Sequence, residues 1–343
     1  MDLTTDYLGL RLRNPLVASA SPLSQSVAGV QRLADAGIGA VVLPSLFEEQ
    51  LRWEADRDAR LADAGTDSFA ESLTYLPPTA GVEDGSRQYL SLLSRAVAAV
   101  DVPVIASLNG VTAAGWVDYA AAMQDAGAAA IELNIYYLPG DPDIGGHEVE
   151  QRHVDILARV KSVVSVPVAV KISPYFSSTG EIARRLDEAG ADGLVLFNRF
   201  MQPDIDPETL AVTAGVQLSS RVEARMPRSW IALLRGRVTA SLAATTGVED
   251  AGDVAAYLLA GADVVMTASA LLRHGPEHTR VLLDGLTAWM GRKGFSAMHQ
   301  VRGILSVEPT ADAAAYERSG YLAAMRQATN RYGPRDTHSR QQR

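Results

Sequence analysis

The 343-residue chain contains no cysteine. That excludes disulfides, thiolate nucleophiles, iron–sulfur clusters and cysteine zinc sites. Positive charge is also short: 31 Lys and Arg face 40 Asp and Glu, the net charge is −9, and no basic block interrupts the acidic residues spread along the chain. A nucleic-acid partner or an anionic membrane surface is therefore not expected. No apolar run approaches the ~18 residues of a spanning helix. Met1-Asp2-Leu3-Thr4-Thr5-Asp6 lacks the basic-then-apolar pattern of a signal peptide, so a cytoplasmic protein is expected. What the chain does have, 47% hydrophobic and 21% charged residues, suits one large domain. With no visible boundary, that domain covers 1–330, and 331–343 reads as a polar tail without apolar periodicity.

Short apolar runs alternate with longer stretches of helical period. The runs are Pro15–Ser19, Ala40–Leu43, Pro103–Leu108, Ala130–Ile135, Pro167–Ile172, Gly193–Asn198, Val238–Ala243 and Ala262–Thr267. Runs of this kind read as strands buried on both faces of a parallel sheet. Four are preceded by a helix-ending glycine, in Asp35-Ala36-Gly37, Asp125-Ala126-Gly127, Glu188-Ala189-Gly190 and Leu259-Ala260-Gly261, where a left-handed cap carries no Cβ penalty. Val102-Pro103-Val104 and Val166-Pro167-Val168 place proline at a first strand residue, where no ladder bond is lost. Eight strands, and no Gly-x-Gly-x-x-Gly after the first, favour an α/β fold of the (β/α)8 TIM barrel type over a dinucleotide-binding sheet. The second connection, Pro44 to Val102, is long and contains Pro77-Pro78 and Gly81, as a substrate loop or lid does.

Barrel active sites sit at the C-terminal strand ends. The polar residues there are Ser19 and Ser21, Ser45, Asn109, Asn134, Lys171, Asn198, Thr245 with Thr246, and Ser269. The set has amides, hydroxyls and one cation, without histidine or a carboxylate pair, so metal hydrolysis and glycosidase chemistry lack their groups. Amides and a lysine suit the hydrogen-bonding rim of a planar heteroaromatic cofactor. Lys171 ends the apolar strand Val168-Ala169-Val170-Lys171-Ile172 and is read either as a rim lysine reaching water or as a cation facing a cofactor edge that becomes anionic on reduction. Thr245-Thr246-Gly247 and Thr267-Ala268-Ser269-Ala270 end the last two strands; small residues there admit a phosphate to backbone N–H groups, though ordinary caps and turns look the same.

Other features carry less. The histidines of His147-Glu148-Val149-Glu150-Gln151-Arg152-His153 are six apart, not the four of a His-Glu-x-x-His zinc site, and the segment reads as a solvated helix face. His274 and His278 flank Gly275-Pro276 and suit capping or exposure better than catalysis. Tyr136 and Tyr137 follow Asn134 at the fourth strand's mouth, as barrel-wall aromatics or as substrate contacts.

Over roughly Leu8 to Val301 the chain resembles the dihydroorotate dehydrogenases, FMN-binding barrels, and within them the compact class without an N-terminal membrane-targeting extension. Arg13-Asn14-Pro15-Leu16-Val17-Ala18-Ser19-Ala20 is similar to the family's opening strand, whose end (here Ala20 and Ser21) meets the flavin. Glu132-Leu133-Asn134 is similar to its Glu-Leu-Asn, and Val170-Lys171-Ile172-Ser173-Pro174-Tyr175 to its Val-Lys-Leu-Pro-Pro-Tyr. Gly247-Val248-Glu249 matches its phosphate-binding Gly-Ile-Glu, and Ala268-Ser269-Ala270-Leu271 stands at its Gly-Thr-Ala-Leu. The resemblance implies FMN held by Ala20, Ser21, Ser45, Asn109, Asn134, Lys171, Thr246, Gly247, Ala268 and Ser269. It implies substrate contacts at Glu71, Asn134, Asn198 and Arg199, oxidation of dihydroorotate to orotate in pyrimidine biosynthesis, and a possible homodimer.

The substrate side departs from the family pattern. The family's base, Cys or Ser of an Asn-Leu-Ser-Cys-Pro-Asn loop, corresponds to Tyr137 in Asn134-Ile135-Tyr136-Tyr137-Leu138-Pro139, and its next Asn falls on Pro139. A flavin-contacting lysine falls on Pro44. In Glu71-Ser72-Leu73-Thr74-Tyr75-Leu76-Pro77, Glu71 takes the place of an Asn. Tyrosine ordinarily ionises near ~10, so Tyr137 as catalytic base needs a neighbouring cation such as Arg199; Glu71 is the alternative base, or a carboxylate that repels that of orotate. With Lys171 stabilising charge on the reduced flavin, the reading is a flavin oxidoreductase acting on CH–CH bonds. Two others stay open here: a phosphate-substrate lyase or isomerase using Lys171 as a Schiff-base lysine, and a non-catalytic flavin-binding barrel.

Overall fold

The computed structural model describes residues 1–48, 85–110, 116–137, 139–199, 203–213, 215 and 217–332. Glu71 and its loop lie outside the described residues. Eight parallel strands close a barrel: β3 (Leu16–Ala18), β4 (Ala40–Phe47), β5 (Val104–Asn109), β6 (Ala130–Asn134), β7 (Val168–Ile172), β8 (Gly193–Leu196), β11 (Ser241–Ala244) and β12 (Val264–Thr267), with β12 pairing back to β3. Each expected run overlaps one of them. Two hairpins are added, β1 (Thr5–Tyr7) with β2 (Leu10–Leu12), and β9 (Asp204–Asp206) with β10 (Ala211–Thr213).

The helices around the barrel are α1 (Val27–Asp35), α2 (Gly85–Ala99), α3 (Trp116–Asp125), α4 (Gly146–Lys161), α5 (Thr179–Glu188), α6 (Arg225–Leu234), α7 (Ala251–Ala260), α8 (Ser269–His274) and α9 (His278–Lys293), followed by α10 (Ala313–Tyr332). Local chemistry sets their ends. Ser26 accepts the Gly29 N–H at the start of α1, and Asp250 accepts the Asp253 N–H at the start of α7, satisfying donors the first turn leaves free. The lead-in glycines 37, 127, 190 and 261 all have positive φ, 94 to 122°, as left-handed helix ends require.

β4 runs further than the apolar run that marks it. Pairing with β5 goes from Val42↔Ile105 to Ser45↔Ser107, so β4 carries one extra residue. Pro44 lies in that step; having no N–H, it cannot extend the ladder, and a bulge absorbs it before the strand resumes to Phe47.

The barrel interior has two chemically different levels. Its lower part is apolar, built by Val17, Ala40, Val42, Ile105, Ala130, Ala169, Val195, Ala243, Val264 and Met266 around Tyr7, Leu8 and Leu12 of the β1–β2 hairpin, which plugs the N-terminal end. Leu8 donates its N–H to Ser241 Oγ at 3.1 Å. A Cβ on Gly193 would lie 2.5 Å from Leu8 Cδ2, so the plug requires glycine there. Side chains two apart on a strand share a face. Ser107 and Asn109 therefore follow Ile105 inward, Glu132 and Asn134 follow Ala130, and Lys171 follows Ala169, making the upper level polar.

Two expectations are corrected outside the barrel mouth. His147 and Glu148 of α4 are exposed, but Glu150 and His153 are buried, His153 at 1% exposure. They lie on the helix face packed toward α5, where Arg185 meets Glu150 at 3.3 Å and Phe176 meets the His153 ring edge-on at 5.2 Å, so the segment is only half solvated. Arg331 and Tyr332, expected in the tail, are the last residues of α10. Ahead of α10, Met298, Val301 and Val307 are buried, and Gly303, Leu305 and Val307 donate backbone N–H groups to Leu258, Leu259 and Ala232, each at 2.9 Å.

Candidate active site

Strand register sets the first part of the site. Asn109 pairs with Asn134, and Asn134 with Lys171, so three polar side chains stand in one row across β5, β6 and β7. One level below, Ser45 pairs with Ser107 and Ser107 with Glu132. The Ser45 and Ser107 hydroxyls are 2.8 Å apart, and Ser107 is held from outside by Tyr89, whose hydroxyl accepts the Ser107 N–H at 2.8 Å. Burial drives the Tyr89 phenol above its ordinary ionisation range.

Lys171 is not a lysine reaching for water. Its side chain is 12% exposed, and its Nζ lies 3.7 Å from a carboxylate oxygen of Glu132, which is 2% exposed. The pair stands at the boundary between the polar and apolar levels. Beneath it, Tyr7 is pushed well above the ordinary phenol range by burial and by the Glu132 and Asp263 carboxylates.

The second part comes from β8. Asn198 is 8% exposed; its backbone N–H reaches Ile172 O at 2.8 Å, and its side-chain amide donates to Asn134 Oδ1 at 2.5 Å. Two residues 64 apart in sequence thus present one joined pair of amides. Arg199 turns elsewhere, donating to Glu223 Oε1 at 3.0 Å and to Gln217 O at 2.5 Å. The cation beside Tyr137 is instead Arg152 of α4, 4.4 Å from the ring centroid. Arg199 is thereby corrected as the expected neighbour of Tyr137. Tyr136 N–H bonds Asn134 O at 3.0 Å, and Pro139 is exposed.

The third part joins the last two strand ends. Thr246 and Gly247 have φ of 82° and 70°; a β-branched residue in that region is strained and persists only where its surroundings hold it. Tyr257 supplies the restraint, its hydroxyl donating to Thr245 O at 3.0 Å and Thr246 O at 2.6 Å. A Cβ on Gly247 would lie 2.7 Å from Ser220 O and 2.9 Å from Ala224 N, so only glycine fits. Gly247 N–H donates to Ser219 Oγ at 3.1 Å, while Ser219 N–H donates to Ser269 Oγ at 3.0 Å. Ala268 is the N-cap of α8. On the β3 side, Ala20 packs on the barrel's interior apolar cluster and Ser21 opens the 3₁₀ turn Pro22–Ser24. Ser19 N–H bonds Thr267 O at 3.1 Å, yet Ser19 Oγ and Thr267 Oγ1 are buried without a partner among the described residues.

Four participants were not singled out from sequence. Glu132 and Ser107 each lie two residues before a singled-out Asn, and strand parity would have found them. Ser219 precedes α6 in an irregular segment with no periodic signal. Glu48, 5% exposed just past β4, packs so closely on residue 110 that a Cβ there would meet its carboxylate at 2.5 Å. His274 and His278 both meet Glu249, their Nε2 atoms lying 2.8 Å from Glu249 Oε1 and 2.9 Å from Glu249 O. No helix among the described residues is long and apolar enough to cross a membrane.

Comparison with known proteins agrees with this architecture. The family model described as dihydroorotate dehydrogenase matches residues 2–290. A putative dihydroorotate dehydrogenase A (fumarate) of Aeropyrum pernix is 27% identical over 311 residues, covering 83% of this chain and 98% of that protein. The catalytic subunit of dihydroorotate dehydrogenase B (NAD(+)) of Methanothermobacter thermautotrophicus is 28% identical over 310 residues, 88% of this chain and 98% of its own length. The corresponding subunit of Shouchella clausii is 31% identical over 201 residues, 56% and 64% of the two chains. The chain belongs to the dihydroorotate dehydrogenase family and is a flavin-dependent dehydrogenase.

Proposed function

We propose that the chain binds FMN at the C-terminal rim of its barrel and oxidises the CH–CH bond of a dihydropyrimidine, dihydroorotate to orotate being the first reaction to test. The observation that carries this reading is the row Asn109–Asn134–Lys171, with Glu132 beneath Lys171 and Asn198 bonded to Asn134. Joined amides and one paired cation suit the polar edge of a planar ring system.

The residues fit the cofactor at both ends. Ser19 Oγ and Thr267 Oγ1 are buried hydroxyls without protein partners among the described residues, a condition that buried polar groups rarely keep unless a ligand or water serves them. Gly247, Ser219 and Ser269 form a small hydrogen-bonded set at the ends of β11 and β12, where barrels of this type hold phosphate. Ala20, Ser21, Ser45, Asn109, Asn134, Lys171, Thr246, Gly247, Ala268 and Ser269 are the residues that would hold FMN, which when bound supplies a two-electron acceptor.

The chain's own groups do the rest. Asn134 and Asn198 orient the substrate ring. Tyr137, in its phenolate form, would take the proton released from the substrate carbon while hydride leaves the adjacent carbon, and Arg152 lies over its ring. Lys171 places positive charge where negative charge accumulates. Membership of a dehydrogenase family sets aside the Schiff-base lyase and the non-catalytic barrel.

The test is the absorbance spectrum of purified protein, followed by anaerobic mixing with dihydroorotate. Bleaching of a flavin band is expected. A flavin band that dihydroorotate leaves unchanged removes that substrate and keeps the cofactor; no flavin after reconstitution with FMN removes both. One observation favours a related dihydropyrimidine over dihydroorotate itself: Pro139 offers no side-chain donor where the family pattern has an Asn. A panel of dihydropyrimidines in the same assay separates the two. Fumarate and NAD(+), the acceptors in the relatives' names, are the oxidants to test next.

A further inference from the structure

The end of the barrel opposite the mouth holds a second polar site. Beside the β1–β2 plug lies a cavity of about 320 Å³, lined among others by Asp6, Arg235, Thr239, Ser241, Asp263 and Arg302. Ser241 is the first residue of β11, Asp263 immediately precedes β12, and Asp6 belongs to the plug, so the cavity sits at the N-terminal strand ends. Asp263 is 5% exposed, and its carboxylate is fully engaged. Its two oxygens accept Arg235 Nη1 at 3.1 and 3.2 Å, Arg302 Nη1 reaches Oδ1 at 2.6 Å, and the Leu242 N–H reaches Oδ2 at 2.7 Å. One buried carboxylate therefore serves two guanidinium groups. Each guanidinium has five N–H bonds, and on both of them Nε and Nη2 donate to no protein group among the described residues. Both arginine side chains are 29% exposed, so those donors are open to a ligand.

The two cations are held in place before any ligand arrives. The Arg235 stem is wedged between glycines: a Cβ on Gly261 would lie 2.8 Å from its Cγ, and one on Gly303 3.6 Å. Arg302 is fixed through its neighbour, since the Gly303 N–H bonds Leu258 O at 2.9 Å. Ser241 Oγ accepts the Leu8 N–H at 3.1 Å and keeps its own proton to donate. The remaining charges nearby have partners. Asp6 meets Arg11 at 3.3 Å. Asp187 lies behind Thr239 and accepts its hydroxyl and the N–H groups of Thr239 and Ala240. Arg237 turns to the carbonyls of Glu308, Pro309 and Ala311. Four cations (Arg11, Arg235, Arg237 and Arg302) against three acids (Asp6, Asp187 and Asp263) leave +1 here, in a chain of net −9.

We infer that this cavity binds a phosphate group, at the end of the barrel remote from the flavin. Guanidinium forks with unused, pre-positioned N–H groups are the protein's means of recognising phosphate, and surplus positive charge in a concave site concentrates anions there. Two forks and the Ser241 hydroxyl, coming from three separate elements, suit a tetrahedral oxyanion better than a planar carboxylate, which a single fork satisfies. The volume is near the roughly 300 Å³ lower end of small-molecule sites. It takes inorganic phosphate or the phosphate of a small ester, and not a dinucleotide. No group of the proposed oxidation lies at this end, so the site stands independently of which substrate the mouth accepts.

Equilibrium dialysis of the full chain against labelled inorganic phosphate, with saturating FMN throughout to fill the mouth, tests this. One phosphate per chain is expected, displaced at least tenfold less well by chloride at equal ionic strength. Arg302→Gln should weaken binding at least tenfold. Because that change also loosens the segment after Arg302, Asp6→Asn is the second variant. It removes an exposed acid from the cavity wall, leaves both arginines and their carboxylate in place, and should tighten binding about threefold, the scale of one exposed charge. Ribose 5-phosphate as competitor separates the two sources of the same chemistry: displacement at lower concentration than unlabelled phosphate identifies an ester ligand, displacement only at higher concentration identifies free phosphate. A chain that takes up no phosphate while FMN is saturating overturns the inference. So does bound phosphate that neither variant alters, which would be held by another surface.

Discussion

The two sides of the barrel mouth are built differently. On one side Asn109, Asn134 and Lys171 stand on strands in a row fixed by register, Asn198 follows β8, Asn198 is joined to Asn134, and Lys171 is joined to Glu132. On the other, Tyr137 and Pro139 follow β6 in irregular backbone, and Tyr137 meets Arg152 through its ring face. Strand-borne groups are placed by the ladder that holds the barrel, and changing one disturbs the fold. Loop-borne groups can be replaced without touching the ladder. The side that keeps the family pattern is the strand-borne one, and the rewritten side is mostly loop. Pro44 is the exception, and it alone leaves a mark on the sheet, the extra residue in β4.

The largest predicted effect lies on the strand-borne side. Lys171→Met should slow flavin reduction about 10³-fold in stopped-flow, the scale of losing one preorganised electrostatic partner. It should also strand the Glu132 carboxylate, lowering stability by about 3 kcal/mol in urea unfolding, as removal of half of a buried pair does. A Lys171→Met/Glu132→Gln double variant should recover most of the stability and none of the rate. Recovery of both would make the pair structural and move the chemistry elsewhere.

On the loop-borne side, Tyr137→Phe should slow reduction about 10²-fold with unchanged urea unfolding. An unchanged rate would pass the base's role to another group, Glu71 first. A smaller and different effect belongs to the join between β11 and α6. Gly247→Ala forces a side chain into φ of 70° and against Ser220 O and Ala224 N, both backbone atoms that cannot step aside. It should cost about 1–3 kcal/mol and weaken FMN retention, read by flavin fluorescence, at least tenfold. Equal retention would place the phosphate away from Gly247.

Much of this was legible in the sequence because the barrel repeats. Eight β-branched runs and four helix-ending glycines report a local, periodic physics that needs no partner to be seen. Strand ends then point to the mouth, which is why Asn109, Asn134 and Lys171 were found together. Glu132 was overlooked because a carboxylate inside an apolar strand looks like part of a motif until parity turns it inward beside Lys171. Contacts that depend on where a loop or helix face lands were out of reach. Arg199 and Arg152 are both plausible neighbours of Tyr137 by chain position, and only the packing of α4 decides between them. His153 was misread for the same reason, since the outer half of its segment is solvated and the inner half meets α5.

That misreading yields the smallest predicted effect, one that couples the two sides. His153 Nδ1 lies 2.8 Å from Val149 O, while Nε2 is buried without a partner among the described residues. Burial holds its pKa below the ordinary 6.5, and the neighbouring Arg152 lowers it further. A histidine depressed in the folded state takes its proton more readily when unfolded. Its contribution is therefore complete above about pH 6.5 and is lost as pH falls below that value, until the folded-state pKa is reached. The slope in that window is at most about 1.4 kcal/mol per pH unit for one proton. Urea unfolding between pH 7.5 and 5 should show the decline, and His153→Phe should flatten it. Because Arg152 adjoins His153 on α4, acid should also loosen the support under Tyr137 before it disturbs the strand-borne row. Reduction rates should then fall across the same window in the native chain and less in His153→Phe, with FMN retention steady in both. Parallel loss of rate and retention would mean that the two sides of the mouth soften together, and the contrast between them would not hold.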